Sequence, residues 1–152
     1  TMIEIIQYTS QYKNSFKAIN LEWLDGFGLT ESHDLQILND PEATILKTGG
    51  SIFLAKSEDE IVGTAAIIYE GNDMFELAKM AVVPAFQGKG ISKLLLQKCI
   101  NEAKQKGGRK MILFSNSRLK TALSLYEKNG FHFVDPEDSP FETADIKMEL
   151  YL

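Results

Sequence analysis

The stretch from Phe75 to Ser115 constrains the fold more than any other part of the chain. It reads as a strand, FELAKMAVV (75–83), stopped by Pro84, then a helix over about 89–106, then Gly107-Gly108, then a short apolar strand, KMILFS (110–115). A crossover of that length lets the second strand return parallel to the first. The helix carries Ile91, Leu94, Leu95, Cys99, Ile100 and Ala103 on one stripe, which predicts a face packed on a sheet. The paired glycines behind it are a common helix stop.

The flanking segments supply the rest of a sheet. IEIIQY (3–8) reads as a first strand, and YKNSFKAINLEWL (12–24) as a helix with Phe16, Ile19, Leu21, Trp23 and Leu24 as its apolar residues. A second helix is expected over 31–38 with Thr30 as its N-cap, and Pro41 lies beyond its end. SIFLAKS (51–57) and EIVGTAAIIYE (60–70) bracket a polar turn and predict a hairpin. RLKTALSLYEKN (118–129) predicts a helix capped by Ser117 and closed by Gly130, and FHFV (131–134) and ADIKMELYL (144–152) are final strands around an acidic loop. The order is β-α-α-β-β-β-α-β-α-β-β. Hairpins mixed with one crossover predict an α/β (α+β) fold with a mixed, mostly antiparallel sheet of about seven strands and about four helices. No repeat or linker interrupts the chain, so residues 2–152 are expected to form one domain. Thr1 reads as a remnant ahead of Met2, the expected natural start.

Composition narrows the function classes. With 44% apolar and 24% charged residues the chain is an ordinary globular one, and no apolar run reaches the ~20 residues that span a bilayer. No signal peptide opens it, and one cysteine, Cys99, excludes an internal disulfide framework, so a reducing, cytoplasmic setting is expected without membrane partners. A net charge of −5 argues against nucleic acid as a partner. That average hides an asymmetry: Gln87 to Lys110 carries +6 and the remainder −11. An anionic ligand on the first part and a cationic one elsewhere suit it, although lysines solvating a helix face would look the same. His33 and His132 have no metal-ligand spacing, and no metal site is expected.

The basic segment begins with Gln87-Gly88-Lys89-Gly90-Ile91-Ser92, at the junction of strand and helix. It is neither a P-loop nor a dinucleotide fingerprint, because the required glycines are missing. Glycine here can be plain punctuation. It can also bare backbone amides at a helix N-terminus, where unpaired N–H groups and a partial positive charge suit phosphate, with Lys89 or Lys93 nearby.

MAVVPAFQGKGISKLLL (80–96) resembles the acetyl-coenzyme A motif of the GNAT superfamily of N-acetyltransferases, Gln/Arg-x-x-Gly-x-Gly/Ala after the fourth strand. ALSLYEKNGF (122–131) resembles that family's second signature, about 35 residues downstream, and EIVGTAAI (60–67) its third strand. The resemblance covers nearly the whole chain. It implies a GNAT fold whose fourth and fifth strands splay apart, with acetyl-CoA as co-substrate: pantetheine amides against Met80, Ala81 and Val82, and pyrophosphate on Gln87, Gly88, Lys89, Gly90, Ile91 and Ser92. Two positions depart from the pattern. Ser92 replaces a Gly or Ala, and Leu119 stands where many members have a donor-contacting asparagine, with Asn116 three residues earlier as a substitute.

Acetyl transfer to an amine needs a neutral nucleophile, a stabilised oxyanion and a proton for the leaving thiolate. An amine of pKa ~10.4 costs roughly 4.6 kcal/mol to deprotonate at pH 7, which calls for a base. Glu76, on the fourth strand, matches a glutamate base of some members; its alternative is an exposed strand charge. Tyr126 is the candidate acid, since a phenol of pKa ~10 holds its proton at neutral pH, and the family places this tyrosine near the coenzyme sulfur. A core tyrosine packed beside Phe131 is the other reading. A backbone N–H near Met80 or Ala81 is the expected oxyanion donor. Glu22 and Trp23 on the first helix are weaker substrate candidates, and Phe27, Leu29 and the loop SPFET (139–143) fit either a pocket or the core. Cys99, on an apolar stripe, reads as structural. The acceptor expected is the primary amine of a small molecule or peptide, with a cationic one favoured by the acidic remainder, and the assembly is compatible with a homodimer. The rival readings are a coenzyme A sensor without catalysis, and an acyltransferase with another donor or acceptor.

Overall fold

The computed structural model describes residues 2–137 and 139–152; Thr1, and Asp138 of the acidic loop, lie outside the described residues. The described residues form one sheet of seven strands: β1 Ile3–Gln7, β2 Ser51–Ser57, β3 Glu60–Gly71, β4 Met74–Val82, β5 Lys110–Ser115, β6 His132–Val134 and β7 Ile146–Tyr151. Their spatial order is β1-β2-β3-β4-β5-β7-β6. Only β4 and β5 are parallel, as the crossover requires; every other pairing is antiparallel. Among the described residues four α-helices pack on it: α1 Lys13–Phe27, α2 Ser32–Asn39, α3 Ile91–Gln105 and α4 Lys120–Lys128.

β2 shows why apolar runs without alternation become strands here. Phe53 and Ala55 point into the core with α3, whereas Ile52 and Leu54 point into the core on the other face with Phe16 and Ile19 of α1 and Ile37 and Leu38 of α2. A strand covered on both faces has no solvent side to keep polar. α3 buries Ile91, Leu95, Leu96, Cys99 and Ala103. The stripe expected from spacing contained Leu94, which is 44% exposed; Leu96 takes the buried place. Gly63 lets α3 approach, since a Cβ there would sit 3.2 Å from Leu95 and 3.3 Å from Ile91.

Several boundaries differ from expectation for local reasons. α1 runs three residues beyond Leu24 to Phe27, ending where Gly28 turns left-handed and its N–H bonds to Asp25 O at 3.1 Å. Thr30 is not the cap of α2, because its hydroxyl is taken by Asp25. Glu31 caps it instead through a reciprocal box with Asp34, whose Oδ2 accepts the Glu31 N–H at 2.9 Å. Ser117 does not cap α4 either: its N–H and hydroxyl both go to Asp145, at 2.8 and 2.7 Å, and Leu119 occupies the N-cap position. The segment Glu42–Leu46 forms a wide helical turn that no periodicity announced.

Candidate active site

The functional geometry starts from a failed pairing. β4 and β5 are bonded only at Met74, Phe75 and Glu76 with Lys110, Met111 and Ile112. Beyond Glu76 and Ile112 they separate, as the splay implied by the resemblance requires, and one edge of β4 is left without a strand beside it. A groove of about 470 Å³ opens there, lined on one side by Met80, Ala81, Val82 and the glycine loop and on the other by the start of α4.

The loop is held from its own chain. The Gln87 amide donates to Val82 O at 3.0 Å, tying it to the end of β4. Gly88 and Gly90 have φ of +75° and +81°, and a Cβ on either would meet nothing within 4 Å. Backbone conformation, therefore, is what demands glycine, because a side chain at positive φ is strained. Gly90 is the N-cap of α3, and no side chain caps that end, so its first N–H groups keep their donor capacity toward the groove. Gly88, Gly90, Ile91, Ser92 and Lys93 line the groove; Lys89 does not, and its ammonium lies 5.2 Å from the Phe86 ring centroid. Three polar residues absent from the sequence reading, Arg118, Lys120 and Thr121, line the opposite wall. Arg118 is anchored through Phe27 O at 3.1 Å and Asn116 Oδ1 at 3.2 Å. Since α4 starts at Lys120 and not at 118, Arg118 belongs to a turn at the groove mouth while Lys120 and Thr121 open the helix, and a basic pair just after a strand end was the available signal.

A second, smaller cavity of about 110 Å³ lies deeper and shares Trp23, Met80, Leu119, Ala122 and Tyr126 with the groove. Its charged lining among the described residues is Glu76, Asp34 and Lys79, and Leu24, Leu29 and Phe141 contribute apolar wall. Glu76 is only 6% exposed, and burial, with Glu70 beside it, raises its pKa to about 8 against the pull of Lys79. It is therefore no solvated strand charge. Tyr126 packs 5.9 Å from the Phe131 ring, so the core reading holds for its ring. Its hydroxyl has no protein partner among the described residues, and none of their fully buried side-chain polar atoms lacks one. That oxygen accordingly opens into the cavity, where burial pushes its pKa up to about 12.

Asn116 lines the deep cavity and not the groove, and its amide is committed to Thr143 O at 2.7 Å. Leu119 borders both spaces. Glu22 is exposed and borders neither, whereas Trp23 borders both. Cys99 is fully buried and burial raises its thiol, so it offers no nucleophile. Among the described residues no three His, Cys, Asp or Glu side chains group as metal ligands, and no helix is long and apolar enough to cross a membrane.

The ion pair between Lys79 and Asp34 was not foreseen. The two side chains are 5% and 4% exposed, and their link joins β4 to α2. Lys79 sits at a bulge: Thr64 faces Ala81 and Ala66 faces Ala78, so Ala65 confronts two residues of β4. At φ +53° Lys79 is a non-glycine residue in the left-handed region, held there by Thr64, whose hydroxyl donates to Lys79 O at 2.8 Å and accepts from Asn20 at 3.0 Å.

The acetyltransferase (GNAT) domain matches residues 48–133. The uncharacterized N-acetyltransferase YjgM of Escherichia coli is 33% identical over 90 residues, covering 57% of this chain and 54% of that protein; the match thus spans about half of that relative's length. A GNAT-family acetyltransferase from Staphylococcus aureus superposes with a TM-score of 0.91 at 27% identity, covering 99% of both chains. YncA of Salmonella typhimurium, solved with its cofactor acetyl-CoA, has the same fold at a TM-score of 0.79 and 20% identity, covering 100% of this chain and 95% of that one.

Proposed function

This chain belongs to the acetyltransferase (GNAT) family, and we propose that it transfers an acetyl group from acetyl-CoA directly to a primary amine of a small molecule or peptide, both held at once. One observation carries this reading: a groove with a glycine-built helix N-terminus and a smaller acid-lined cavity meet at Tyr126 and Met80. The groove fits the coenzyme through the unpaired edge of β4, the uncapped α3 and a basic rim of Lys93, Arg118 and Lys120. YncA, which shares the fold, was solved with acetyl-CoA as its cofactor, which favours that ligand here.

When bound, acetyl-CoA supplies an acetyl group activated as a thioester. Glu76 takes the proton that the acceptor ammonium must lose, and its raised pKa brings it closer to that of an amine, which eases the transfer. Tyr126 keeps its phenolic proton at neutral pH and holds it where the two cavities join, ready for the departing thiolate. Main-chain N–H groups near Met80 and Ala81 supply oxyanion stabilisation. Cys99 takes no part.

The proposal includes a cytoplasmic location, for which the reduced, buried Cys99 is the support, and residues 2–152 as one catalytic domain. Calorimetry with acetyl-CoA, followed by thiol release against a panel of amines, tests the function. Binding with amine-dependent thiol release is the expected result. Binding without turnover on any amine would favour a coenzyme sensor, and no binding would remove the enzyme reading.

A further inference from the structure

We infer that the acceptor is an α-amino acid or a close analogue, its amine placed at Glu76 and its carboxylate on the ammonium of Lys79. This rests on the proposed acetyl transfer and deepens it by naming the substrate class.

The Lys79 ammonium has three donors. Among the described residues its one hydrogen-bond partner is Asp34, and the Phe141 ring lies 5.2 Å away as a cation-π contact. A desolvated ammonium with spare donors facing a cavity is a ready anion site. A lysine serving only as a pin between α2 and β4 would not need to border the cavity. The backbone points the same way. Lys79 is held at φ +53° by the Thr64–Asn20 chain, and strain of this kind persists where the surroundings enforce it, often at ligand sites.

Charge and size complete the argument. The deep cavity presents two acids, Glu76 and Asp34, and one base, Lys79, so it offers an ammonium and a carboxylate a partner each. Glu76 and Lys79 lie three residues apart on β4 and border the same small cavity, so one acceptor can present an amine to the first and a carboxylate to the second. A polyamine would bring its second cation against Lys79. At about 110 Å³ the cavity admits a small acceptor, with Trp23, Leu24 and Leu29 as the wall for an apolar side chain.

The test uses the wild-type chain with acetyl-CoA and matched acceptors: leucine against 3-methylbutylamine, phenylalanine against 2-phenylethylamine, and spermidine. Rates are compared at equal concentration of neutral amine. The acid member of each pair is expected to have a kcat/KM about 10- to 100-fold higher, the range of a charge-assisted hydrogen bond. In Lys79→Met, and in Lys79→Met/Asp34→Asn, which avoids stranding a buried carboxylate, that preference should shrink to within about 3-fold. Equal or better turnover of the decarboxylated amines or of spermidine overturns the inference and leaves acetyl transfer standing. Coenzyme binding without turnover of any acceptor also overturns it, whereas failure of acetyl-CoA to bind in calorimetry overturns both.

Discussion

The groove and the deep cavity are built in opposite ways. The groove is mostly backbone: an unpaired strand edge, two glycines at positive φ and a helix start without a side-chain cap. The deep cavity is mostly side chains, brought from α1, α2, β4 and the loop ahead of β7 onto one point. A backbone site is written in a few consecutive residues, so a local motif reveals it. A site assembled by convergence is written nowhere locally.

Substitutions can break this contrast. The largest effect should come from the deep cavity: Glu76→Gln and Tyr126→Phe are each expected to lower kcat by about 10²–10⁴, with little change in acetyl-CoA affinity. Steady-state kinetics with calorimetry checks the split, and a parallel loss of affinity would merge the two regions. Next in size is Gly90→Val, which places a β-branched residue at φ +81°. It should weaken acetyl-CoA binding by about 10- to 100-fold through a strained or displaced loop, while Tm moves by only a few degrees.

Glu76 also gives the deep cavity a pH signature. As a base it works ionised, so kcat/KM should rise with pH through a midpoint at about 8 and level off only about one unit above it, without a fall from Tyr126 in the neutral range. Stability should run the other way. Folded Glu76 keeps its proton up to about 8 and unfolded glutamate only to about 4.5, so its contribution is full below the lower value and is lost as pH rises to the upper one. Glu76→Gln should therefore melt about 2–4 °C or more above wild type at pH 9, the shift worth about 1 kcal/mol in a chain this long. The smallest effect is expected at the groove rim: Lys120→Ala should cost about 3- to 10-fold in acetyl-CoA affinity at low salt and less at high salt, since exposed charges are screened.

The order of strands, the parallel β4–β5 pair and the glycine loop were legible because each rests on local pattern: apolar runs, a helical crossover, punctuation by proline and glycine. Glu76 and Tyr126 were reached through resemblance, and the structure adds why their environments differ from solvent. Lys79 and Asp34 were invisible. FELAKMAVV reads as an uninterrupted strand, and the bulge that turns Lys79 inward is imposed by Thr64 and Asn20, 15 and 59 residues away. Asp34 looked like any polar residue of a short helix until packing placed β4 beside it. Helix caps failed likewise, as Thr30 and Ser117 had the right chemistry but were claimed by Asp25 and Asp145.

The groove and the cavity share Tyr126, and as two sites they should be separable by substitution. Calorimetric titration of acetyl-CoA into wild type, Gly90→Val and Glu76→Gln tests this most directly. Tight binding to wild type and Glu76→Gln with a Kd at least ~10-fold weaker for Gly90→Val is the expected result. Equal affinity across all three, or loss in Glu76→Gln alone, would contradict it.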